Sequence, residues 1–160
     1  MFELAAEIHG GVRVLRHGSL VVSVHPRPST VDDITTIHRV CRRVVADHAQ
    51  MSSITILLEA GMALDGPTRD AAKALASDFR ETSIGQGIVF GDDGLRASLV
   101  RSILTGVNLL AGARAQQRVF KRTEDAVRWV CALPQQAPEL QDPERVWSAL
   151  VRADGGARVG

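Results

Sequence analysis

Apolar positions fall into short runs with strand-like spacing that alternate with longer stretches of helical spacing. Residues 11–16 (Gly-Val-Arg-Val-Leu-Arg) and 19–25 (Ser-Leu-Val-Val-Ser-Val-His) predict two strands. His17-Gly18 between them reads as a hairpin turn, because glycine takes positive φ at no steric cost. Pro26 and Pro28 end the second strand, since proline cannot donate to a ladder. Thr30 and Asp33 then stand at capping-box spacing before Ile34, Ile37, Cys41, Val44 and Val45, which share one helical face. Asp32 and Asp33 come first in this helix and Arg39, Arg42 and Arg43 later, the order the helix dipole favours.

The alternation continues. Residues 54–58 are nearly all apolar, as suits a buried parallel strand. Pro67 fits the first turn of a helix running through Ala71, Ala72, Leu75, Ala76 and Phe79. Residues 87–91 predict another buried strand. Asp92 and Asp93 precede a helix carrying Leu95, Leu99, Val100, Ile103, Leu104, Val107 and Leu110, closed by Gly112. Residues 118–121 form a short strand, and Thr123 caps a helix with Ala126, Val127, Trp129 and Val130 that Pro134 terminates. Strands joined by helical crossovers require a mixed, mostly parallel sheet, so the fold class is α/β.

Residues 1–133 make the α/β domain and 134–141 a proline- and glutamine-rich linker. Residues 142–152 make an accessory helix, capped by Asp142 with Pro143 at its first position. Its Val146, Trp147, Leu150 and Val151 form an apolar stripe that must find either its own domain or a second copy of the chain. The glycine-rich residues 153–160 are expected to form a disordered tail.

Composition narrows the function classes. At 160 residues, 45% hydrophobic and 23% charged, the chain is long enough for one self-sufficient core. Nineteen basic residues balance eighteen acidic ones, and aromatics are only 4%, so neither charge nor stacking surface suits nucleic acid. Cys41 and Cys131 are too few for a disulfide framework or a zinc site and read as reduced core thiols. The first residues lack the pattern of a secretory signal, and no run approaches the ~20 apolar residues of a membrane span. A cytoplasmic protein is expected.

The hairpin, the βα units that follow it and the closing phrase Arg118-Val119-Phe120 … Thr123-Glu124-Asp125-Ala126-Val127-Arg128-Trp129-Val130 resemble the STAS-type, SpoIIAA-like family, which is related to CRAL-TRIO-like domains. The resemblance covers residues 11–133. It implies a small non-enzymatic module that binds protein partners, in some members through phosphorylation of a serine or threonine, and in related domains binds lipid or another apolar ligand. Signalling members carry Asp-Ser-Ser-Gly or a close variant after the third strand. Here residues 59–68 read Glu-Ala-Gly-Met-Ala-Leu-Asp-Gly-Pro-Thr, with no serine. Thr68 is the position where a helix N-terminus could receive a phosphate, though it reads more simply as a good early-helix residue. Phosphorylation by the family mechanism is therefore not expected.

Other chemistry is thinly supported. His38 and Cys41 share a helix face at ligand spacing, but no second pair matches them, so coincidence is the simpler reading. His9, His17 and His25 read as surface histidines of the first strands. No Gly-x-Ser-x-Gly elbow occurs, and Gly91-Asp92-Asp93-Gly94 presents carboxylates where a phosphate loop needs none. Arg114, Arg118, Lys121, Arg122 and Arg128 concentrate near the last strand and read as a solvated face. Glu59 and Asp65 are the carboxylates best placed for an enzyme. The expectation is a non-catalytic module without cofactor or metal, acting through an unidentified protein partner or as a homodimer. Its rival is a carrier binding an apolar molecule or lipid among Met62, Leu64, Leu99 and Ile103.

Overall fold

Strand pairing, more than local propensity, decides where this chain is extended. In a computed structural model, which describes residues 1–58, 65–90 and 116–155, six strands form one sheet. They are β1 (Glu3–Ile8), β2 (Val12–His17), β3 (Leu20–His25), β4 (Met51–Leu57), β5 (Ser83–Phe90) and β6 (Gln116–Phe120), lying side by side in chain order. The pairs β1–β2 and β2–β3 are antiparallel, and the three pairs from β3 to β6 are parallel. Four α-helices accompany them among the described residues: α1 (Val31–His48), α2 (Gly66–Asp78), α3 (Thr123–Cys131) and α4 (Pro143–Ala153). The mixed, mostly parallel α/β sheet expected from the apolar pattern is the observed one.

Several boundaries shift. β1 was not anticipated, because Glu3, Ala5, Ala6 and Glu7 are weak strand formers, and it is held by pairing to β2 across a bulge between Leu4 and Ala6. The turn falls at Gly18, with φ +55, and Ser19, so His17 still belongs to β2. β4 starts at Met51 and β5 at Ser83, earlier than their apolar runs suggest, because their polar residues stay in the ladder. Thr123 does not cap α3. Arg122 occupies the cap without a side-chain bond, and Thr123 is the first helical residue with its side chain buried.

The core is layered on both sides of the sheet. On one face α3 and α4 pack Ala126, Val127, Val130, Val146 and Leu150 onto Leu15, Leu20, Val22, Ile54 and Ile56. On the other, Ile37, Val40, Cys41 and Val44 of α1 meet Val14, Val21 and Met51, with Leu75 of α2 and Phe79 alongside. Each fully buried Val, Leu or Ile contributes roughly 1.5–3 kcal/mol. Gly85 marks close packing with α3, since a Cβ there would stand 3.3 Å from the half-buried Trp129 ring.

The stripe of α4 is taken up by its own domain. Residues 134–141 include a 3₁₀ turn, Pro138–Leu140, whose Leu140 is fully buried. Gln136 Nε2 donates to Ser52 Oγ at 3.0 Å and to the Val130 carbonyl at 3.1 Å, which satisfies a buried amide. Beyond α4, Arg13 Nη1 donates to the buried Asp154 carboxylate at 2.8 Å and Nη2 to the Ala153 carbonyl at 2.8 Å. This pair fastens the end of α4 to β2.

Candidate functional site

In open α/β sheets ligands meet the carboxyl ends of the parallel strands, so the residues following β3 and β4 are the first to consider. After β3 the chain turns through Pro26 and Pro28 into α1, and the predicted capping box is formed. Asp33 N–H donates to Thr30 Oγ1 at 3.3 Å, and Thr30 N–H donates to the Asp33 carboxylate at 2.8 Å. Arg27 adds a bidentate contact to the same carboxylate, at 2.7 and 3.0 Å, and donates to the His9 carbonyl at 2.6 Å. Burial pushes the Asp33 carboxyl up, but the bonds from Arg27 and Thr30 outweigh it and hold the group below the ordinary aspartate value. This cluster ties the β1–β2 turn to the start of α1.

His25 ends β3 and corrects the expectation of a surface histidine. It is 2% exposed, with Nδ1 2.9 Å from Ser29 Oγ and with Nε2 buried and lacking a hydrogen-bond partner among the described residues. Burial lowers its pKa to about 4, the nearby Asp33 raising and Arg27 lowering it by less, so the imidazole is neutral at pH 7. The strand alternation Val21, Ser23, His25 was the signal for this burial, because these residues share the face that α1 covers. His9 is exposed and His17 half-buried.

At the start of α2, Asp65 is the N-cap and accepts from Thr68 N–H at 2.8 Å, and its bonds to Thr68 hold its carboxyl below the ordinary range. Thr68 is 1% exposed. Met62, Leu64, Leu99 and Ile103, together with Glu59, Asp92 and Asp93, lie outside the described residues. So does the helix expected over 95–110.

Elsewhere the sequence candidates resolve into structural roles. His38 Nε2 lies 2.9 Å from Asp78 Oδ2, and its ring meets Phe79 edge-on while Cys41 is buried. Arg122 and Arg128 each approach Glu124 at 2.7 Å, Arg128 also reaches Glu144 at 3.0 Å, and Arg118 lies over the Phe120 ring. Arg114 lies outside the described residues. Among the described residues no group of three or more His, Cys, Asp or Glu side chains is arranged to hold a metal ion, and no helix is long and apolar enough to cross a membrane.

Missed from sequence was a polar line on the α1–α2 face of the sheet. Ladder register sets Ser53 beside Gln86 and Gln86 beside Gln117, and it sets Ser23 beside Thr55. Gln117 Nε2 donates to Gln86 Oε1 at 2.9 Å, and Ser23 Oγ donates to Thr55 Oγ1 at 3.5 Å. Only the pairing of strands distant in sequence brings these residues together.

Compared with known protein families, curated proteins and solved structures, the chain matches none.

Proposed function

We propose that the protein is a non-catalytic STAS-like module that acts by binding another protein, using the outer face of α1. The observation that carries this reading is the use made of ionisable groups at the sheet's carboxyl end. Arg27 and Asp33 are joined in a helix cap, Asp65 caps α2, and His25 is neutral and buried. These groups serve folding, whereas a general base needs a pKa near the working pH and access to substrate. On α1, by contrast, Arg39 and Arg43 are exposed one turn apart, without a carboxylate partner among the described residues, beside Arg42. Such a ridge suits a partner presenting carboxylates. Free buried thiols at Cys41 and Cys131 fit a reducing, cytoplasmic setting.

Affinity capture from the source cells with the wild-type chain and with an Arg39→Glu, Arg43→Glu variant tests the reading. The expected result is a stoichiometric protein, or a second copy of the chain, whose binding falls at least about tenfold in the variant. Both chains should melt alike. A protein retained equally by both chains, or none retained by either, contradicts the reading.

A second reading, an apolar-ligand carrier, is favoured by the separate cluster Leu57, Ile88 and Phe90 with Val119 at the carboxyl ends of β4, β5 and β6. There an apolar molecule would meet side chains that belong to neither main core layer.

A further inference from the structure

Arg145, Ser148 and Arg152 are exposed along α4, whose Val146, Ala149 and Leu150 are buried against the domain. Residues three and four apart on a helix are neighbours, their Cβ atoms about 5–6 Å apart, so an arginine flanks Ser148 on either side. Neither arginine is engaged by a carboxylate among the described residues, and Glu144 of the same helix approaches Arg128 of α3 at 3.0 Å. Arg145 is also poorly placed for stability. It stands at the third position of α4, where a helix start favours Glu or Gln and the dipole disfavours a cation. A residue that breaks a local rule without a compensating contact marks a position kept for another purpose.

We infer that Ser148 is a phosphorylation site, read by a serine kinase through Arg145 and clamped afterwards between Arg145 and Arg152. Kinases select substrates by charge pattern, and an arginine three residues before the acceptor is a common determinant. Arginine also stands three residues before Ser19, Thr30 and Ser83. In each of those cases a carboxylate holds it: Glu3 on Arg16, Asp33 on Arg27 and Glu81 on Arg80. The acceptors are engaged as well. Ser19 is buried, the Thr30 hydroxyl belongs to the capping box, and Ser83 is half-buried in the β5 ladder. Ser148 combines an exposed hydroxyl with an arginine that no carboxylate holds. In the transfer, the Ser148 oxygen bonds to the γ-phosphorus of a nucleoside triphosphate held by the kinase. The bond from that phosphorus to the bridging oxygen breaks, the diphosphate leaves with the electron pair, and the hydroxyl proton passes to the kinase's carboxylate base. A kinase takes its substrate extended, and α4 can open locally without unpairing any strand. The product sets a charge of about −1.5 to −2 and three acceptor oxygens between two guanidinium groups, which donate charge-assisted hydrogen bonds to it. The site lies across the sheet from α1 and apart from the buried Thr68, and it stands whether or not α1 binds a protein.

Incubation of the full chain with the catalytic subunit of cyclic-AMP-dependent protein kinase and magnesium ATP, followed by peptide mass mapping, tests the inference. One phosphoryl group is expected on Ser148, added at least about tenfold more slowly to Arg145→Ala. Phosphorus NMR of the product then reads the clamp. The phosphoserine should titrate below its ordinary midpoint of about pH 6 and return towards it in Arg152→Ala, because the cations favour the dianion. Arg152→Gln serves as a second variant should Arg152→Ala fold poorly. Absence of phosphate from Ser148, or its placement on Thr30 or Ser83 instead, overturns the inference. An equal rate in Arg145→Ala overturns it too, as does an ordinary midpoint in the wild type.

Discussion

His25 remains inside the sheet only as a neutral ring, and that ties stability to pH. Its folded pKa is about 4 against an ordinary 6.5, because burial penalises the charged form; of the facing charges, Asp33 raises the value and Arg27 lowers it. Between those two values the unfolded chain binds more protons, so stability is full above pH 6.5 and falls as pH drops towards 4. The loss amounts to about 3 kcal/mol across the window. Asp33 titrates below its ordinary 3.8, so its contribution disappears at lower pH. Urea unfolding at a series of pH values should show the slope in the wild type and not in His25→Asn; equal slopes would contradict the burial. The two thiols behave likewise. Burial pushes Cys41 up to about 12 and Cys131 to about 11, so thiol reagents at neutral pH should label the folded chain at least about a hundredfold more slowly than the unfolded one. Fast labelling of the native chain at either position would show that it is open to solvent.

Among the elements, α4 is fixed by its apolar stripe and by the Arg13–Asp154 pair. Asp154 is buried and Arg13 partly exposed, so Asp154→Ala leaves a guanidinium short of its partner. It should cost about 2–3 kcal/mol in denaturant unfolding while the chain's mass by light scattering stays the same. A change in oligomeric state without loss of stability would mean that α4 serves another copy. Elements whose cause is local were legible in the sequence. The Thr30–Asp33 box, Pro67 after the Asp65 cap and Pro143 after Asp142 each lie within a few residues of the helix they start. Elements whose cause is distant were not. β1 exists because β2 offers it a ladder, and Thr123 loses its capping role because its side chain is buried. The polar line from Gln117 to His25 depends on the register of four strands, which no local pattern encodes. Of the site residues expected from sequence, the structure describes Thr68 and Asp65, both at the start of α2.

For the whole molecule, two core layers clamp one sheet, and among the described residues Arg27, Asp33, Asp65 and His25 near its carboxyl end are engaged in helix caps or buried. A contact module and an apolar-ligand carrier make opposite demands on the purified protein. A carrier retains its cargo through purification, since burying an alkyl chain yields about 0.8 kcal/mol per methylene. A contact module leaves purification as a defined multiple of the chain or with a second protein attached. Native mass spectrometry of the protein purified from its source cells separates them most directly. The account predicts one of those protein-only masses, together with loss of any second chain or copy in the Arg39→Glu, Arg43→Glu variant. A stoichiometric small apolar molecule on the chain, released on denaturation and indifferent to that variant, would contradict it.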